Sequence, residues 1–193
     1  MNQYRRKLLS AILFFARRVK HLNTTKLSKL LFHLDFTHVK QTGYPSIGLE
    51  YNAFVKGPVP KKFWLEIKDG HVPDDFKRKL AIIVHRDKLN EEYKELDFRA
   101  KSAPDMNVFT PREQKILDKL AYIYKDATAS EMSRISHSKE GPWDITYRKD
   151  GKNAPIDYQL ALDDELKIEP EEAKKLIREH FEMVKNFELF PAR

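Results

Sequence analysis

Apolar residues in this chain recur at helical spacing in several stretches and alternate at strand spacing between them. Tyr4, Leu8, Ile12, Phe15, Val19 and Leu22 form one stripe over residues 4–22, the pattern of a first helix. Leu27, Leu30, Leu31, Leu34 and His38 form a second. Thr24 and Thr25 offer N-cap oxygens for that helix, and Gly43 followed by Pro45 stops it. Beyond Gly48, Leu49, Tyr51, Ala53 and Val55 alternate with Glu50, Asn52 and Phe54, which predicts a strand. Gly57-Pro58-Val59-Pro60 then reads as a rigid corner, because two prolines fix φ and remove donors.

Lys61 to Lys68 predicts a short helix presenting Phe63, Trp64 and Ile67, ended by Asp69-Gly70. Ala81-Ile82-Ile83-Val84 is a strand run, whereas Leu89 to Lys101 suits a strand or an irregular helix. The extended stretches near 50–55, 81–86 and 92–99 are expected to form one small antiparallel sheet. Thr110-Pro111-Arg112-Glu113 starts a helix with Ile116, Leu117, Leu120, Ile123 and Tyr124 inward. Asp126-Ala127-Thr128 breaks it, and Ala129 to Ser138 resumes with Met132 and Ile135 inward. Glu140-Gly141-Pro142-Trp143 is a turn that places an indole, and Glu169 to Phe187 is the last helix. The predicted class is α+β, mainly α-helical: a helical bundle-like domain of six to eight helices with a small antiparallel β-sheet. A single domain over 1–193 is expected, with a possible subdivision near 102–110, where Ser102-Ala103-Pro104 interrupts the pattern.

Charge alters this picture in one respect. The net charge is +7, yet residues 1–100 hold 20 Lys/Arg against 11 Asp/Glu, and residues 101–193 hold 16 against 18. A basic front half invites a nucleic acid or an acidic protein as partner, against the plainer reading of a solvated surface. The first helix carries six cations and no acid, but its longest apolar run, Ala11 to Ala16, is far below the ~18 residues of a membrane span. A helix packed on the second one accounts for it better than a membrane-surface role. The absence of cysteine excludes disulfides, Cys-ligated zinc and thiol catalysis.

Candidate chemistry is sparse. His33, Asp35 and His38 suggest a metal, but five residues place the two imidazoles about 140° apart round a helix. His38 falls on the apolar face as a core residue and His33 is expected outward. No G-x-S-x-G elbow accompanies Ser133, Ser136 and His137, and no phosphate loop is present. The run Asp163-Asp164-Glu165 reads as a solvated helix end. The helical hairpin over 112–138 has helix-turn-helix spacing, but Arg134 is the only cation between Ala129 and Ser138. These residues do not argue for an enzyme, a cofactor or a metal.

Two ordered segments carry a resemblance. KLLFHLDFTHVKQTGYP followed by YNAFVKGPVP resembles the N-terminal half of the Panacea domain, the SocA-like antitoxin family of bacteria and phages. SEMSRISH followed by Gly141-Pro142-Trp143 is similar to that family's second half, and the resemblance spans roughly 5–165. It implies a cytoplasmic antitoxin that neutralises a cognate toxin by direct binding, in some members as an adaptor delivering the toxin to a protease. The candidate partner-binding residues are Phe54, Lys56, Pro58, Val59, Trp64, His137 and Trp143. Lys56 departs from the family pattern, which has an aromatic or Met residue before Gly-Pro-Val. The second reading is a nucleic-acid-binding regulator using the hairpin at 112–138.

Overall fold

A computed structural model of the chain describes residues 1–86, 94–162 and 168–189. The first two helices, α1 (Gln3–Arg18) and α2 (Thr24–Thr42), follow the predicted stripes. The cap of α2 lies one residue earlier than expected: the Asn23 side chain accepts from the Lys26 amide, and Thr24 and Thr25 sit inside the first turn. Gly43, at φ 82°, closes the helix in the left-handed conformation that glycine tolerates. Most of α2 is buried because it packs against α1, α4 and α5 and against strands of both hairpins.

The extended segments form two separate antiparallel pairs, β1 (Tyr51–Phe54) with β2 (Gly57–Pro60), and β3 (Leu80–Arg86) with β4 (Lys94–Ala100). The single sheet expected from the sequence does not form, and the reason lies at the strand edges. The free edge of β1 is taken by residues 153–156, through Ala53 N to Ala154 O, Asn153 N to Ala53 O and Ile156 N to Tyr51 O. The free edge of β4 meets the α1–α2 connection, with Phe98 N donating to Leu22 O at 2.9 Å. Neither edge is left for the other pair. The Gly57–Pro60 corner is likewise a strand, paired in register from Tyr51 with Pro60 to Phe54 with Gly57. Its prolines are tolerated because an edge strand does not need every donor.

Five further helices follow: α3 (Lys61–Ile67), α4 (Pro111–Tyr124), α5 (Ala129–Ser136), α6 (Pro142–Asp150) and α7 (Pro170–Leu189). Among the described residues this gives seven helices and two small antiparallel sheets, the predicted class. Thr110 with Glu113 and Thr128 with Glu131 form complete capping boxes for α4 and α5. Two apolar assignments fail. Ile123 is 51% and Ile135 42% exposed. Ile123 lies at the margin of the buried arc of α4, and the short α5 turns only Met132 and Ser136 fully inward. Trp143 sits in the first turn of a helix begun by Gly141 and Pro142, not in an isolated turn.

Part of the charge asymmetry of the sequence is answered within the molecule. Arg6, Lys7 and Arg18 of α1 and Lys20 just beyond it pair with Asp105, Glu113, Asp118 and Asp126. Three of these pairs are exposed and contribute little. The fourth is not: Lys7 Nζ lies 2.5 Å from Glu113, whose side chain is 2% exposed. Glu113 also accepts from Ser46 Oγ and from its own capping partner, the Thr110 amide. Burial pushes the Glu113 carboxyl up, but Lys7, Ser46 and Thr110 outweigh it and hold the carboxyl below its ordinary range. Among the described residues no helix is long and apolar enough to cross a membrane. Glu113→Ala strands a largely buried ammonium and should cost about 3 kcal/mol in urea unfolding. Lys20→Ala should change stability by less than about 0.5 kcal/mol in the same measurement.

Candidate functional site

The β1–β2 hairpin is the point at which the seven sequence-predicted residues meet. Phe54, half-buried, has its ring centroid 6.2 Å from that of Trp64 on α3, tilted at 52°. The Phe54 carbonyl accepts from Trp143 Nε1 at 3.0 Å. Trp143 in turn is the middle of an aromatic stack, 3.8 Å from His137 at 9° and 4.9 Å from Tyr147 at 20°. The Lys56 side chain is exposed at the tip and Val59 is half-buried, whereas Pro58 and Trp143 are buried. Phe54, Lys56, Val59 and Trp64 thus offer surface, while Pro58, His137 and Trp143 hold that surface in place.

The support beneath the tip is Lys29 of α2, which the sequence reading passed over. Its side chain is only 1% exposed, and Nζ donates to the Lys56 carbonyl at 2.6 Å. Burial lowers its pKa to about 8, so the ammonium is retained at neutral pH. Gly57 explains how the chain comes so close: a Cβ there would lie 2.5 Å from Lys29 Nζ and 3.0 Å from His137 Nε2, and its φ is 111°. A side chain at this position would push the tip off its support.

His33, one turn beyond Lys29, is not outward as expected. Its Nε2 is buried without a hydrogen bond, and its ring stacks on Tyr124 at 5.7 Å and 14°. Burial, and then the Lys29 charge, lower its pKa to about 4. His137 is shifted down for the same two reasons, in the same order, against an opposing pull from the Lys56 carbonyl. Its Nε2 is also buried and makes no hydrogen bond of acceptable geometry. The two imidazoles and the ammonium form a polar seam between α2, α5 and the hairpin. Lys26 and Lys29 are both buried on this leucine- and phenylalanine-rich helix, whereas Lys40 near its end is exposed.

The second support is the carboxylate of Asp35, which is completely buried. Oδ1 accepts from the amides of Ile47 at 2.6 Å and Gly48 at 3.2 Å. Oδ2 accepts from the Leu49 amide at 3.2 Å, Tyr51 Oη at 3.0 Å and Tyr158 Oη at 3.1 Å. Burial first, and the Asp35 charge second, push both phenols well above the ordinary tyrosine range. His38 is the core residue expected, with Nδ1 donating to the Tyr44 carbonyl at 2.8 Å. Asp35 thereby fixes the loop that delivers the chain from α2 into β1. It does so as a hydrogen-bond acceptor; among the described residues no group of three or more His, Asp or Glu could hold a metal ion. The acidic run at 163–165 lies outside the described residues.

Residues 27–144 match the family model for the antitoxin SocA-like, Panacea domain. The chain belongs to this family. No curated protein and no solved structure matches it. The matched Panacea segment, narrower than the span of the resemblance, runs from α2 into the first turn of α6. It therefore contains Lys29, Asp35, the hairpin, His137 and Trp143, while Tyr158 falls beyond it. Asp35, His38 and Gly43, all within the segment KLLFHLDFTHVKQTGYP that carries the resemblance, serve as a loop anchor, a core hydrogen bond and a helix stop.

Asp35→Ala leaves the amides of Ile47, Gly48 and Leu49 and the Tyr51 phenol without this acceptor, while Tyr158 Oη keeps the Leu49 carbonyl at 2.6 Å, and should cost on the order of 3–5 kcal/mol in urea unfolding. Asp35→Asn, which keeps one carbonyl oxygen, should lose less. The His33 pKa is lower in the folded chain than the ordinary 6.5, so on acidification the unfolded chain takes up a proton that the folded chain does not. Stability should decline between pH 6.5 and about 4, by on the order of 2 kcal/mol from this residue. His33→Phe should flatten that part of the pH–stability curve.

Proposed function

We propose that this chain, whose membership of the SocA-like family supports an antitoxin role in general terms, neutralises a cognate toxin by direct protein–protein contact through the outer surface of the β1–β2 hairpin and the adjoining α3. The observation that carries this reading is a surface of large apolar residues on a clamped backbone. Phe54 and Trp64 lie beside Val55 and Leu65, which are 53% and 45% exposed, with Lys56 at the tip. Lys29 and Trp143 hold the hairpin from beneath at the carbonyls of Lys56 and Phe54. Aromatic anchors that need little ordering on binding are the usual centre of a tight interface.

Neutralisation of this kind buries roughly 1,200–2,000 Å² in total, which the hairpin and its neighbours can supply only with a surrounding polar rim. Delivery of the bound toxin to a protease would use the same first contact. In this reading the chain works without catalysis or cofactor, as one unit in the cytoplasm. The ion pairs from α1 to Asp105, Glu113, Asp118 and Asp126 support treating the two sides of residues 102–110 together.

The test coexpresses the chain with the toxic product of the neighbouring reading frame and follows growth and co-purification. The native chain should restore growth and co-purify with the toxin. Phe54→Ala combined with Trp64→Ala should abolish rescue and weaken the complex by at least about 100-fold, as for loss of two central anchors. Rescue that survives this double change, in a protein of unaltered thermal midpoint, would move the toxin contact elsewhere.

A further inference from the structure

The outward face of α4 carries a second surface with a different chemistry. At 100° per residue, Arg112, Lys115, Lys119, Tyr122 and Ile123 share an arc of about 100°. The adjoining arc, with Glu113, Ile116, Leu117, Leu120 and Tyr124, is buried. The first three residues of the ridge line a cleft of about 700 Å³ between the end of α2 and the start of α4. No carboxylate lines that cleft, whose remaining polar lining includes Thr37, Gln41 and Thr110. Among the described residues Arg112 reaches only a carbonyl, that of Gln41, and Lys115 and Lys119 have no ion-pair partner. This distinguishes them from Arg5, Arg6, Lys7 and Arg18 of α1, whose charge is answered within the fold. One turn beyond the cations, Tyr122 is 84% and Ile123 51% exposed, so the ridge ends in an uncovered apolar step.

We infer that the Arg112–Ile123 ridge of α4 is a docking surface for an acidic protein segment that carries an apolar side chain beyond its carboxylates. The ridge spans about 16 Å along the helix axis, the length of about three turns of a partner helix. Carboxylates spaced one turn apart would meet Arg112, Lys115 and Lys119, and a leucine or phenylalanine at the far end would cover Tyr122 and Ile123. Charge complementarity selects the partner's sign and speeds encounter, and the apolar step supplies burial that a purely ionic contact lacks. A nucleic acid fits less well. Tyr122 offers a single stacking face, Ile123 offers none, the next helix adds only Arg134, and residues 101–193 hold more acid than base. This surface is separate from the hairpin and does not depend on its proposed role.

The test is fluorescence anisotropy with the full chain and three labelled probes. One is a helical peptide with glutamates one turn apart followed by two leucines. The second has those leucines replaced by alanine, and the third is a short single-stranded oligothymidylate. The leucine peptide should bind best. Lys115→Glu with Lys119→Glu should weaken it at least about 10-fold, and Tyr122→Ala with Ile123→Ser about 5-fold, the losses expected of rim charges and an apolar anchor. These residues are exposed, so both variants should keep the native thermal midpoint. The hairpin variant with Phe54→Ala and Trp64→Ala should bind the peptide normally, which separates this surface from the proposed toxin contact. Failure of the leucine peptide to bind, equal binding to the charge-reversed variant, or tighter binding of the oligonucleotide would each overturn the inference.

Discussion

The buried carboxylate of Asp35 is the constraint on which the rest of the structure depends. A charge removed from water is tolerated only where its lone pairs are filled, and here two amides and, on the other oxygen, an amide and two phenols fill them. Those donors come from the loop after α2, from β1 and from the segment before α7. Satisfying one side chain therefore sets the path of the chain into the hairpin and ties residues far apart in sequence to the central helix. Lys29, a turn and a half earlier on α2, repeats the device with opposite sign, as a buried ammonium on the hairpin tip. The hairpin is thus positioned from both ends by charges that solvent does not reach.

The distribution of charge along the chain acquires a different meaning in three dimensions. An excess of cations at the front and of acids at the back is the signature of a basic binding face when read linearly. Folded, part of it is a seam along which α1 and Lys20 just beyond it are laid against the region of Asp105 to Asp126. The three cations on the outer face of α4 remain outside that seam, in the half of the chain whose overall balance is slightly acidic. Local pairing decides which charges are left for a partner, and net charge does not.

Much of the helical architecture was legible in the sequence because strong local signals agreed with each other. Thr110-Pro111 with Glu113 is a cap, a preset φ and a reciprocal hydrogen bond in four residues, and the helix begins there. The two Panacea-like segments were legible for a similar reason, as ordered motifs with fixed spacing. Misreadings arose where tertiary contacts override local preference. Pro58 and Pro60 look like strand breakers until β2 is seen at an edge. The sheets divide because residues 153–156 occupy the side of β1 that β3 would need, and nothing local announces that pairing. His33 looked solvent-facing because the reading gave α2 one apolar face, whereas neighbours cover most of its circumference. Six of the seven residues in the candidate site are aromatic, proline, valine or histidine, which sequence motifs reveal. Their supports, Lys29 and Tyr158, carry no local pattern.

The contact of Tyr158 with Asp35 also has a temporal side. As the chain leaves the ribosome, α2 and the hairpin are complete about a hundred residues before the phenol that finishes filling the carboxylate, and before the segment that closes β1's open edge. Contacts of such sequence separation form late, since the closure entropy of the intervening loop must be met first. The hairpin surface is consequently built early but made rigid only near the end of synthesis. A chain cut short before residue 153 would retain the apolar hairpin beside an unpaired strand edge, the kind of unfinished surface that aggregates or is degraded.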